Sequence, residues 1–193
     1  MHGLTSGVCA RGRGGPWRLG PSGCGKTTLL DMLAGKKTKP YTGEVFLNGQ
    51  PRNRLYPRMT SYVPQQDVMP KYWTVVEAVE FNHRLRFQAE DMSSELRRWY
   101  VEEILSFFGL LSVKDSYIGD DTVRGISGGQ KRRVTLARGC VAGSQIVFAD
   151  EPTSGLSATD AEMCMRAMTA VSRKLGTTFV VVIHQPRVGE WSS

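Results

Sequence analysis

The alternation of apolar and polar positions along the chain divides it into elements. Two runs, QIVFAD (145–150) and TTFVVVIH (177–184), are almost continuously apolar and rich in Val and Ile. Such runs predict strands of a parallel sheet buried on both faces. Between them, ATDAEMCMRAMTAVSRKL predicts a long helix with Ala161, Met165, Met168 and Leu175 on one side, a stripe best read as core. Upstream, DMSSELRRWYVEEILSFFGLL (91–111) places Leu96, Tyr100, Ile104 and Phe107 on one helical face. Thr74-Val-Val-Glu77 is a capping box that opens the helix VVEAVEFNHRLRF. A further helix runs from about Gly129 to Ala142. Nearer the N-terminus, GEVFLNG (43–49) predicts a short strand and MTSYVPQQD (59–67) a strand followed by a loop. TTLLDMLAG has helical spacing and ends on Gly35, a C-cap residue by type.

The order is loop–helix, strands, a helical stretch, then strand–helix–strand. It predicts an α/β fold with a parallel sheet and a mostly helical subdomain over about 74–143. The sheet core then comprises 20–73 and 144–193, and residues 1–19 form an atypical leader. Only the segment just before Gly20 fits badly. A central strand is expected there, yet RGRGGPWR supplies Pro16, which lacks an N–H, and Arg18, which a sheet interior would bury.

Composition narrows the function less than the pattern does. With 193 residues, 40% hydrophobic and 22% charged, the chain suits one globular domain. The net charge of +7 is spread along the chain, so no nucleic-acid partner is expected. Four cysteines without CxxC pairing argue against structural disulfides and for a reducing compartment. The densest apolar run, FVVVI at 179–183, is far short of the ~20 residues that span a bilayer, so a soluble chain is expected.

Chemistry concentrates at three places. Gly20-Pro-Ser-Gly-Cys-Gly25-Lys26-Thr27 fits G-x-x-x-x-G-K-[ST], a loop whose backbone N–H groups and following helix grip phosphates. Lys26 would reach the β- and γ-phosphates, and the Thr27 hydroxyl would hold Mg²⁺. The absence of an NKxD-like guanine reader disfavours a GTPase. In Ile146-Val-Phe-Ala-Asp150-Glu151 an apolar strand delivers a carboxylate at its C-terminal end. Asp150 would serve the Mg²⁺, and Glu151 would polarise an attacking water. Ile126-Ser127-Gly128-Gly129-Gln130 opens a basic helix and makes a second anion-binding helix start. Two such starts suggest a nucleotide pressed between two surfaces.

With these residues in view, the chain resembles the ATPase domains of ATP-binding-cassette (ABC) transporters. VRGISGGQKRR is similar to the family's signature, SYVPQQD to its Q-loop with Gln65 at the glutamine position, and His184 in VVVIHQPR to its switch histidine. GPSGCGKTTLLDMLAGKK, ADEPTSGL and IHQPR look most like the White/pleiotropic-drug-resistance (G) subfamily. The resemblance covers Gly20 to about Arg187 and implies a P-loop NTPase (RecA-like) core plus an ABC-type helical subdomain. It implies that Gly20, Pro21, Ser22, Gly23, Cys24, Gly25, Lys26, Thr27, Thr28 and Gln65 bind ATP. Thr27, Gln65 and Asp150 would hold Mg²⁺, and Glu151 and His184 would be catalytic. Ser127, Gly128, Gly129 and Gln130 would act on the ATP of a second, head-to-tail ATPase domain. The resemblance also implies a transmembrane domain supplied by further sequence or another chain, a place on the cytosolic face of a membrane, and export of a lipid-like or foreign compound.

The pattern departs from the family at Ser157, where the loop SGLSA carries Ser in place of the usual Asp that couples the two sites across the dimer. Ser157-Ala-Thr-Asp160 is itself a capping box by type, so nucleotide binding is expected to survive and coupling to change. The family's adenine-stacking aromatic has no counterpart, since Trp17 lies too close to the loop. With nine residues after His184, the chain reads as a piece of a longer transporter. Two other readings remain open here: a non-transport ABC ATPase of DNA repair or translation, and a remnant that no longer hydrolyses ATP.

Overall fold

The computed structural model describes residues 17–18, 25–36, 40–47, 49–87 and 92–183. Its centre is a four-stranded parallel sheet of β1 (Trp17–Arg18), β6 (Thr178–Val182), β5 (Ile146–Asp150) and β4 (Thr60–Val63), in that order. Strand β5 is buried along its whole length, as its unbroken apolar run requires. Ile146 and Phe148 point to one face, where they meet Val180, Val182 and Leu30. Val147 and Ala149 point to the other, into a larger cluster with Phe179, Val181 and Ile183. Among the described residues β1 is a two-residue strand paired only with β6, at the edge of the sheet rather than at its centre.

Helix α1 (Lys26–Ala34) covers the first face through Leu30 and ends on Gly35, whose φ of 74° makes it a left-handed C-cap. A small antiparallel pair follows, β2 (Phe46–Leu47) with β3 (Gln50–Pro51), and then a single-turn helix α2 (Tyr56–Met59) leads into β4. The other face carries α3 (Val75–Arg84), α4 (Ser94–Phe107), α5 (Gly128–Cys140) and α6 (Ala158–Leu175). These four helices share one apolar cluster with the sheet. Helix α5 lies against β4 and β5, and a Cβ at Gly139 would stand 2.5 Å from the Val63 side chain. Only glycine lets helix and strand approach so closely.

The local signals hold where they depend on neighbours in sequence. Thr74 and Glu77 form the complete capping box of α3. Two faces differ from the periodicity. In α4 the buried stripe is Arg97, Val101, Ile104 and Leu105, while Leu96 is 49% exposed; Tyr100 and Phe107 pack partly against the core. In α6 Ala161 and Met168 are buried, Met165 packs partly against the core, and Leu175 at the helix end is 40% exposed. Both misplaced leucines lie near a helix terminus, where the core no longer reaches.

Candidate nucleotide site

A parallel sheet brings the C-terminal ends of its strands to one edge. The register pairs Val63 with Ala149 and Asp150 with Val182, so the segments leaving β4 and β5 emerge side by side. Gln65 lies two residues past β4, Glu151 one past β5, and α1 begins at the same edge. Thr27 Oγ1 donates to Asp150 Oδ1 at 3.3 Å, and Gln65 Nε2 donates to Glu151 Oε2 at 2.9 Å. Four side chains from three segments, singled out by sequence, thus meet in two adjacent pairs.

Gly25 caps α1 at φ 88°, a left-handed conformation that an L-residue adopts with strain. No side chain caps this helix start, and its first turn carries no acidic residue. A helix start of this kind presents N–H groups and partial positive charge of the sort that bind anions. Lys26 is half-buried at the first helical position, and Thr27 and Thr28 are exposed beside it. Gly20, Pro21, Ser22, Gly23, Cys24 and His184 lie outside the described residues, as does all but the two-residue β1 of the segment before Gly20.

Asp150 is 4% exposed, and burial pushes its carboxyl above the usual range. The Thr27 hydrogen bond opposes this, while the negative charges of Glu151 and Asp31 add to it. Glu151 continues the ladder through its N–H to Val182 O at 2.9 Å, then turns with φ 46°. It is the only non-glycine residue with positive φ among those described.

The second helix start is built differently. Ser127 accepts from the Gln130 N–H at 3.2 Å, and the Gln130 side chain accepts from the Ser127 N–H at 2.8 Å. A Cβ at Gly129 would meet the Asp160 carboxylate at 2.3 Å and would have to displace it from Arg133 and Ser157. At Gly128 a Cβ would meet nothing within 4 Å, and the position is exposed. Asp160 also accepts from Arg133 Nη1 at 2.6 Å and from the Ser157 hydroxyl at 2.9 Å. The capping box expected at Ser157 is therefore only half formed. The hydroxyl accepts from the Asp160 N–H, but the Asp160 carboxylate turns to Arg133 and that hydroxyl.

Sequence reasoning missed Arg132. Its side chain, 3% exposed, donates to the carbonyls of Pro64, Gln65, Asp150, Glu151 and Pro152 and to Asp67 Oδ1. In the run KRR it reads as a solvated charge. Spacing does not mark it out either, because α5 is buried at every position from Arg132 to Ala137.

Comparison with known proteins agrees with the geometry. A family model described as ABC transporter matches residues 18–154. ABC transporter G family member 6 of Dictyostelium discoideum is 39% identical over 169 residues, covering 87% of this chain. ABC transporter G family member 32 of Arabidopsis thaliana is 41% identical over 177 residues, covering 91%. The chain spans only 11% and 12% of the lengths of those two relatives. Among solved structures, a dimeric post-hydrolysis state of the ATP-binding cassette MJ0796 bound to ADP and Pi superposes with a TM-score of 0.70 and 30% identity. That match covers 88% of this chain and 74% of the other. The α/β fold and the matched family converge, and the relatives of similar sequence carry G-family names: the chain belongs to the ABC transporter family.

Proposed function

We propose that this domain binds Mg²⁺-ATP at the edge where Thr27, Asp150, Gln65 and Glu151 meet, and hydrolyses it between two head-to-tail copies of such a domain. Gly20 to Thr28 would wrap the phosphates, with Lys26 against the β- and γ-phosphates and His184 near the γ-phosphate. The donor set suits a hard cation: a hydroxyl from Thr27, a carboxylate from Asp150 and the amide oxygen of Gln65. Asp150 is a buried carboxylate beside two other acids, and a cation would relieve that crowding. Among the described residues no cluster of three His, Cys, Asp or Glu could hold a metal, so phosphate oxygens and water would complete its shell. The ion would neutralise charge that develops on the phosphates. Glu151, held at 2.9 Å from Gln65, would orient the attacking water and take its proton.

The first turn of α5 supplies the other half of a site. Ser127, Gly128, Gly129 and Gln130 would face the nucleotide of a second domain. Gly128 supports this, being exposed with no internal packing reason to lack a side chain. Ser157 would stand where the two sites communicate, and with Asp160 engaged by Arg133 the coupling would differ from that of a domain carrying Asp there. Residues 74–143 would act as the helical subdomain beside a core of 20–73 and 144–193. The whole protein would carry membrane segments and export a lipid-like or foreign compound, with this domain on the cytosolic face. Among the described residues no helix is long and apolar enough to cross a membrane.

The observation that carries the reading is the adjacency of the Thr27–Asp150 and Gln65–Glu151 pairs. Glu151→Gln tests it: nucleotide affinity should persist while phosphate release falls ~10²–10⁴-fold. Equal turnover by mutant and wild type would remove Glu151 as the base.

A further inference from the structure

One guanidinium grips both loops that carry the reacting groups. Arg132 sits on α5, five residues past the Ser127 cap, and is 2% exposed. Its Nε donates to Pro152 O at 2.9 Å, and its Nη2 to Asp150 O at 3.0 Å and Glu151 O at 3.2 Å. Its Nη1 donates to Pro64 O at 2.7 Å, Gln65 O at 3.1 Å and Asp67 Oδ1 at 3.1 Å. One edge of the fork thus holds three consecutive carbonyls of the turn after β5, and the other holds the loop after β4.

The turn it grips contains Glu151 at φ 46°. A non-glycine residue in that region persists only where its surroundings over-determine the backbone. The loop on the other edge contains Gln65, whose amide reaches the same Glu151 carboxylate at 2.9 Å. Five donors in a rigid plane can serve both loops together; an ammonium has three, all on one atom. Arg133, its neighbour, turns instead to Asp160 at 2.6 Å. The two arginines therefore have separate tasks despite adjacent positions.

We propose that Arg132 is a positioning residue for hydrolysis, fixing the Glu151 turn against the Gln65 loop so that the carboxylate is aimed at the attacking water. The inference rests on the reading of Glu151 as the base. Because the guanidinium is rooted just past the first turn of α5, the signature end of that helix and the turn bearing Glu151 form one mechanical unit. What it takes from Gln65 and Asp150, which would also serve the cation, are backbone carbonyls and not the ligating side chains, so its main effect should fall on turnover rather than on affinity.

Arg132→Lys in the full protein tests this, with kcat and KM for ATP measured alone and in a Glu151→Gln background by single-turnover release of labelled phosphate. The expected result is a kcat loss on the order of 10- to 100-fold, the scale of a misplaced reacting group. KM should move by less than about threefold, and no further loss should appear once Glu151 is already Gln. A kcat within about twofold of wild type overturns the proposal. So does a loss that recurs in full in the Glu151→Gln background, since Arg132 would then act through something else. If Arg132→Lys fails to fold, Asp67→Ala removes one acceptor and leaves five. It should lower kcat without raising KM, and an unchanged kcat overturns the idea. Should Glu151→Gln alone leave turnover intact, the assignment of the base falls first and this proposal with it.

Discussion

The two helix starts that sequence reasoning paired as phosphate-facing are physically unlike. At α1 the cap is Gly25 in a left-handed conformation, with no side-chain hydrogen bond and no acid in the first turn. At α5 Ser127 and Gln130 close the helix end with a reciprocal pair of hydrogen bonds. The first start has no side-chain cap among the described residues, whereas the second satisfies part of its need from its own side chains. A helix end of the first kind, capped by glycine, suits close approach by an anion. One of the second kind is built in advance and can be offered to a ligand held elsewhere, as a site shared between two copies demands.

That contrast can be broken in three places. Lys26→Ala should weaken nucleotide binding by about 10- to 100-fold, the scale of a lost charge-assisted hydrogen bond, in a fluorescent-nucleotide titration. Unchanged affinity would remove α1 from the site. Gly129→Ala should then destabilise the fold by about 1–3 kcal/mol, because the added methyl meets Asp160, whereas Gly128→Ala should leave the melting temperature where it is. Equal shifts from the two glycines would show that packing does not separate them. Smallest, Ser127→Ala should cost about 1 kcal/mol in denaturant unfolding while a single chain binds nucleotide as before. A loss of that binding would mean that α5 serves its own nucleotide.

What the sequence disclosed follows the range of the interactions involved. The caps at Thr74 and Gly35 and the bounds of α6 depend on residues a few positions apart, and they were readable. The meeting of Thr27, Asp150 and Glu151 at one edge follows from a parallel sheet, which brings strand ends together once the strands are known, while Gln65 was singled out by the family resemblance alone. Leu96 and Arg97 show the limit. Hydropathy alone turns Leu96 inward, yet Arg97 takes the buried position, with Nη2 donating to Met92 O at 3.4 Å. Arg132 failed in the same way. Its value lies in five carbonyls and a carboxylate from two distant loops, and no local pattern announces those acceptors. The half-formed box at Ser157 was misjudged because Arg133, 27 residues from Asp160, competes for the carboxylate.

Position 151 carries a tension of its own. A glutamate at φ 46° occupies backbone that glycine or asparagine would take with less strain, so the shape of the chain and its chemistry ask for different residues there. A search for heat-resistant variants would tend to discard this carboxylate, and a search for turnover would keep it. With Glu151 as the proposed base, the loop after β5 would be a place where the domain gives up some durability for reactivity.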